Sequence, residues 1–143
     1  MAYDQLKLKN QLCFPLYASA KEVVRQYAPF LEPLQLTYTQ YIVMLALWEH
    51  RTASVKTLGE HLYLDSGTLT PLLKKLEQRG LILRERSEAD ERNVVVRLTD
   101  EGEALEHRAA QVPSQVRACL PLNDEEAATL YRLLYRVLGS QQR

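Results

Sequence analysis

Little in this 143-residue chain points to catalysis or to a membrane. It holds two cysteines, Cys13 and Cys119, and five glycines, none of them clustered. His50, His61 and His107 stand at no metal-ligand spacing with either cysteine, and neither HExxH nor CxxC occurs. No glycine-rich phosphate loop or nucleophile elbow is present, so no metal or other cofactor is expected. The longest apolar run, Tyr41–Trp48, is far shorter than the roughly 20 residues needed to span a bilayer. The opening MAYDQLKLKN lacks the basic-then-apolar pattern of a secretory leader, so a cytoplasmic protein with reduced thiols is expected. An excess of charge is missing as well. Lys plus Arg and Asp plus Glu both number 18, and the isoelectric point is about 6.8. Nucleic-acid-binding domains often exceed a pI of about 9, so charge alone suggests no polyanionic partner.

What is present is an ordered succession of short elements, of a length suited to one domain. Residues 5–28 carry Leu12, Leu16, Val23, Val24 and Tyr27 near helical spacing. Pro15 either kinks this helix near Gln11 or marks a regular part that begins just before it. Pro29 and Pro33 impose a connection. Thr37 and Gln40 have the form of a capping box, opening a helix to about Glu49 that is apolar on nearly every face. Val55–Leu62 is a two-turn helix, and Ser66–Arg79 a second one, with Gly80 just past its end. Leu69, Leu72, Leu73 and Leu76 give this second helix its inward stripe. Two strands follow, Leu81–Arg86 and the valine-rich Val94–Leu98, separated by the charged Ser87–Asn93. Thr99 caps a helix from Asp100 that is bent or interrupted at Pro113. Asn123 with Glu126 caps a last helix, striped by Leu130, Leu133, Leu134, Val137 and Leu138.

The fold class is therefore mainly α with a small β-hairpin wing, a winged helix-turn-helix. That order implies a DNA-binding surface. The second helix of such a pair must bring a small, polar N-terminal end into a major groove about 12 Å wide. Asp65-Ser66-Gly67-Thr68-Leu69-Thr70 supplies short hydroxyls and a glycine there, with Pro71 close behind. Lys74 and Lys75 lie about a turn further along, within reach of phosphates. Arg84, Arg86 and Arg92 furnish the hairpin with long cations for phosphate contact or minor-groove insertion. Taken singly, these residues are ordinary caps and solvated charges; taken as an ordered set, they favour DNA.

The residues also resemble a known family. DSGTLTPLLKKLEQRGLILRERS, DER and LTDEG resemble the MarR family signature, and the resemblance extends over essentially the whole chain. Asn10-Gln11-Leu12-Cys13-Phe14, Leu16-Tyr17-Ala18, Tyr27, Thr37–Tyr41 and Leu47-Trp48-Glu49 are similar to its organic-hydroperoxide-resistance branch. The resemblance implies that Cys13 is a peroxidatic cysteine, and that Tyr27 and Tyr38 hydrogen-bond its sulfur across a dimer interface. It implies that Cys119 is a resolving cysteine, forming an intersubunit disulfide with oxidised Cys13. It further implies that Asp90 orients Arg92 toward the minor groove. Pro15 departs from the pattern, beside the sensor.

Independent chemistry bears on both thiols. If helical order begins near Pro15, Cys13 sits at the positive end of the helix dipole; if the helix is continuous, Lys9 and Tyr17 share its face. Cys119 falls on an apolar stripe with Leu105, Val112 and Val116, which by itself suits a core residue. The resulting expectation is a homodimeric repressor that binds pseudo-palindromic operator DNA and releases it when organic hydroperoxides oxidise Cys13. Residues 1–143 would form one domain. Within it, 37–103 would be the DNA-binding region, with 1–36 and 104–143 as intertwined dimerisation helices. Two alternatives are a repressor of the same type that answers to a small aromatic ligand, and a thiol peroxidase.

Overall fold

An α-helix that is apolar nearly all round needs neighbours on most sides, and Tyr38–His50 has them except along Ile42, Leu45 and Glu49, where Leu45 is exposed. The computed structural model describes residues 3–87 and 93–139. Two 3-10 turns, Asp4–Leu6 and Leu8–Asn10, precede α1 (Cys13–Leu31), a 3-10 turn (Glu32–Leu34) and α2 (Tyr38–His50). Next come β1 (Thr52–Ser54), α3 (Val55–Leu62), α4 (Ser66–Gln78), β2 (Ile82–Arg86) and β3 (Val94–Leu98). The described chain closes with α5 (Asp100–Ala109), α6 (Val112–Cys119) and α7 (Asp124–Val137). The architecture is the expected winged helix-turn-helix, largely helical with a small antiparallel sheet.

The core forms where α2 meets the helix-turn-helix. Val43, Met44 and Leu47 of α2 are fully buried, as are Leu58 of α3, Leu69 and Leu76 of α4, Ile82 and Val96. Burial of each such aliphatic side chain contributes roughly 1.5–3 kcal/mol. The sheet order is β1-β3-β2, with Thr52 opposite Arg97 and Arg84 opposite Val96. β1 is absent from the sequence reading because three residues are too few to display an alternating pattern.

Prolines decide where the outer helices begin and end. Pro15 occupies the third position of α1, where an amide hydrogen would have no partner within the helix anyway. The regular helix therefore starts at Cys13, the second of the two arrangements the sequence allows. Residues 4–10 form 3-10 turns instead of α-helix, a correction to the 5–28 helix. They are closed by Asn10 Nδ2 donating to Asp4 O at 2.7 Å and Gln11 Nε2 donating to Gln5 O at 2.8 Å. At its far end α1 runs through Pro29 to Leu31, because only the last turn is affected by the missing donor. Pro113 is the second residue of α6, so the helix from Asp100 is interrupted at Ala110–Gln111 and not merely bent.

The outermost helix behaves differently. α7 opens on the full Asn123–Glu126 capping box, yet none of its residues is buried. Leu130, Leu133, Val137 and Leu138 stand exposed, as do Leu12, Phe14, Leu16 and Tyr17 near the start of α1.

Candidate functional site

The exposed part of α4 begins with its cap. Asp65 Oδ1 accepts from the Thr68 amide at 2.7 Å, and this bond holds the Asp65 carboxyl below its ordinary pKa. Ser66, Gly67, Thr68, Pro71, Lys74 and Lys75 are exposed and Thr70 is half-buried, while Leu69, Leu73 and Leu76 face the core. The helix thus presents small polar groups at its N-terminus and two cations further along one outer face. Pro71 falls after the first turn without ending the helix.

Among the described residues, an ion pair ties the wing to this helix. Arg84 of β2 donates Nη2 to Glu77 Oε1 at 2.9 Å and Nε to the same oxygen at 3.1 Å. Its backbone amide reaches Glu77 Oε2 at 3.3 Å. Hydrogen bonding to Arg84 holds the Glu77 carboxyl below the usual range. Arg84 therefore stands half-buried against α4, whereas Arg86, further along β2, is exposed. Asp90 and Arg92 lie outside the described residues. An open cleft of about 580 Å³ separates α3 and α4 from the wing, lined by Ser54, Lys56, Ser66, Thr70, Arg84 and Asn93.

Cys13 is the first residue of α1 and is exposed, at the end where the unpaired amides place the positive pole of the helix dipole. Tyr27 lies toward the other end. At roughly 1.5 Å of rise per residue, about 21 Å of helix axis separates the two. Tyr27 meets Tyr38, the first residue of α2, edge to face with ring centroids 4.8 Å apart. Tyr41 adds a third ring, 5.6 Å from Tyr27 and 6.3 Å from Tyr38. Burial raises the pKa of all three phenols, that of Tyr41 to about 12. Their hydroxyls stay protonated at neutral pH and available as donors. The fold gathers Tyr27 and Tyr38 but leaves Cys13 far from them along its own chain. Tyr41, which the sequence placed among the apolar residues of α2, is buried beside this pair.

Cys119 ends α6. Leu105, Val112 and Val116 of its stripe are buried, but Cys119 itself is exposed, with Sγ donating to Gln115 O at 3.4 Å. The core role that the stripe suggested does not hold, since the helix stops where the packing stops. Among the described residues, no group of three or more histidine, cysteine or acidic side chains is placed to hold a metal. Nor is any described helix long and apolar enough to cross a membrane.

Known proteins resemble this chain in sequence and in fold. Residues 25–108 match the model of the family described as transcriptional regulator SarA/Rot. The organic hydroperoxide resistance transcriptional regulator of Bacillus subtilis is 50% identical over 136 residues, 95% of this chain and 92% of that one. The chain belongs to the MarR family of transcriptional regulators. Solved MarR-family structures superpose on it over nearly their whole length. Reduced AbfR bound to DNA is 36% identical with a TM-score of 0.79, covering 96% of this chain and 95% of that one. The same protein in its disulfide form, from Staphylococcus epidermidis, is 35% identical with a TM-score of 0.68, covering 98% and 96%. A MarR variant of E. coli complexed with operator DNA is 27% identical with a TM-score of 0.77, covering 89% and 93%. Within the MarR family the chain lies in the organic-hydroperoxide-resistance branch.

Proposed function

We propose that this regulator is a homodimeric, redox-sensing repressor that releases operator DNA when an organic hydroperoxide oxidises Cys13. One observation carries the reading: an exposed cysteine opens α1, while Tyr27, about 21 Å along the same helix, pairs with Tyr38 of α2. A two-fold arrangement of α1 and α7 brings the thiol of one copy to the tyrosines of the other, and covers the apolar residues both helices expose. Residues 1–36 and 104–143 then form the dimerisation region, and 37–103 the DNA-binding region. α4 enters the major groove with Ser66, Gly67, Thr68, Thr70 and Pro71 at the base edges, and Lys74 and Lys75 take phosphates. Arg84, paired with Glu77, holds the wing at the groove's edge, while Arg86 and an Asp90-oriented Arg92 contact the backbone and minor groove. The protein works in the cytoplasm without a cofactor.

The chemistry is stepwise. The Cys13 thiolate attacks the outer peroxide oxygen, leaving a sulfenate on sulfur and an alcohol from the hydroperoxide. The protonated sulfenate condenses with the Cys119 thiol of the second copy, forming an S–S bond and releasing water. A disulfide needs Cα atoms about 4.4–6.8 Å apart, so closing a larger gap shifts the helices and the spacing of the two α4 helices. The kinship with the Bacillus hydroperoxide regulator and with AbfR, known in reduced and disulfide forms, supports this reading.

The deciding experiment compares wild type with Cys13→Ser on a duplex selected by the reduced protein. Addition of tert-butyl hydroperoxide releases the wild type and leaves the variant bound. Release of Cys13→Ser by the same peroxide overturns the sensor. A second reading is release by a small aromatic acid held between the dimerisation and DNA-binding regions. Such release from a variant lacking both cysteines would establish it. Fast multiple turnover of peroxide with added thiol would establish a peroxidase, which leaves α4 and the wing without a role.

A further inference from the structure

The connector between α1 and α2 is gripped from two other helices. Pro33, Leu34 and Gln35 are successive residues, and the backbone carbonyl of each accepts a hydrogen bond from a guanidinium. Arg79, the C-cap of α4, donates Nη2 to Leu34 O at 3.1 Å and Nη1 to Gln35 O. Arg108 of α5 donates Nη2 to Pro33 O at 2.7 Å. Gln35 has φ 55°, a left-handed conformation that turns the chain out of its 3-10 turn.

The two ends of the Arg79 contact belong to different functions. On one side Arg79 sits where α4 ends and Gly80, at φ 77°, leads into the wing. On the other, Leu36 is buried, Thr37 caps α2, and Tyr38 is the first residue of that helix, against the Tyr27 ring. One half-buried side chain thus joins the end of the DNA-facing helix to the segment that sets the tyrosine pair. The link is directional. A guanidinium donates to two acceptors in a fixed planar fork, which a lysine ammonium does not reproduce. The inward side chains of α4, Leu69, Leu73 and Leu76, are instead held by apolar burial, which is non-directional and tolerates sliding.

We propose that Arg79 is a positioning residue that couples the state of the Tyr27–Tyr38 pair to the placement of α4. The proposal rests on the redox-sensing reading. Displacement of the N-terminus of α2 on oxidation carries the Leu34 and Gln35 carbonyls with it. The fork transmits that shift to the C-terminal end of α4 and the root of the wing.

The test uses the full chain as wild type, Arg79→Ala and Arg79→Lys. Duplex affinity is measured for each before and after tert-butyl hydroperoxide, and trapping of the Cys13 sulfenate by dimedone reports sensor chemistry separately. Couplings between sites are commonly worth about 5–150-fold in affinity. In Arg79→Ala, sulfenate forms at the wild-type rate while the reduced-to-oxidised affinity ratio falls at least about fivefold. Arg79→Lys keeps the charge at the helix C-terminus but not the fork, so its ratio also falls; it decides the matter if Arg79→Ala does not fold. A ratio equal to wild type in the folded variants overturns the Arg79 proposal and leaves the sensor standing. Peroxide that fails to release wild type, or that releases Cys13→Ser, overturns both.

Discussion

The indole Nε1 of Trp48 donates to the carbonyl oxygen of Gly102 at 2.9 Å, a buried bond between α2 and the first turn of α5. The first turn of α5 is packed tightly against the chain that leaves α4. A Cβ on Gly102 would lie 2.2 Å from Leu81 O, with Leu98 Cδ2 at 3.1 Å. That backbone oxygen also accepts from the Thr99 amide at 3.1 Å, so it has no freedom to retreat.

Gly102→Ala is therefore expected to lose at least about 1–3 kcal/mol of stability, the usual cost of overpacking. Thermal melting of the reduced protein checks this. Gly67→Ala is the comparison, because its Cβ would meet only Asp65 Oδ1, at 3.4 Å. Equal melting temperatures for the two variants would contradict the tight approach.

The tyrosine cluster predicts an alkaline limit. Burial raises Tyr41 to about 12 and lifts Tyr27 and Tyr38 in the same direction. A phenol whose folded pKa exceeds its unfolded value of about 10 stabilises the fold fully below that value. The contribution is lost as pH rises through the folded pKa. Wild type should then lose stability more steeply than Tyr41→Phe between about pH 10 and 12. Urea unfolding midpoints across that range make the measurement, and parallel curves would refute it.

Lys74 and Lys75 make a separable electrostatic prediction. Each phosphate contact contributes about one unit to the slope of log affinity against log salt. Lys74→Ala and Lys75→Ala should each reduce that slope by about one and weaken all sequences alike. Thr70→Ala should instead relax sequence preference with the slope unchanged. A slope that survives both lysine substitutions removes them from the interface.

Cys119 is assessed by electrophoresis without reductant. After peroxide, wild type should run as a covalent dimer, and both Cys13→Ser and Cys119→Ser as monomers. A dimer band that persists in Cys119→Ser would mean that the thiol exposed at the end of α6 does not resolve the sulfenate.

Much of the framework was legible because capping chemistry is local. Thr37 with Gln40, and Asn123 with Glu126, form the two capping boxes their spacing announces, and the ends of α3 fall as read. Distance along the chain defeated the rest. Nothing in the sequence near Arg84 reveals that it pairs with Glu77 across the turn between α4 and the wing. Gln35 adopts a left-handed conformation without the glycine or asparagine that would signal one, so the Arg79 clasp was invisible. Pro15 left the start of α1 open between two arrangements, since a proline is tolerated in a first turn and disruptive in a second. For Cys119 periodicity misled, because a stripe predicts which face is inward but not where the neighbouring surface ends.

The bare edge of α7 carries a consequence for the cell. None of its residues is buried within its own protomer, so in the proposed dimer its leucines contribute only when a second chain is present. Their contribution follows mass action and grows with abundance. Copy number thereby enters repression twice, once in the occupancy of the operator and once in the fraction of chains competent to occupy it.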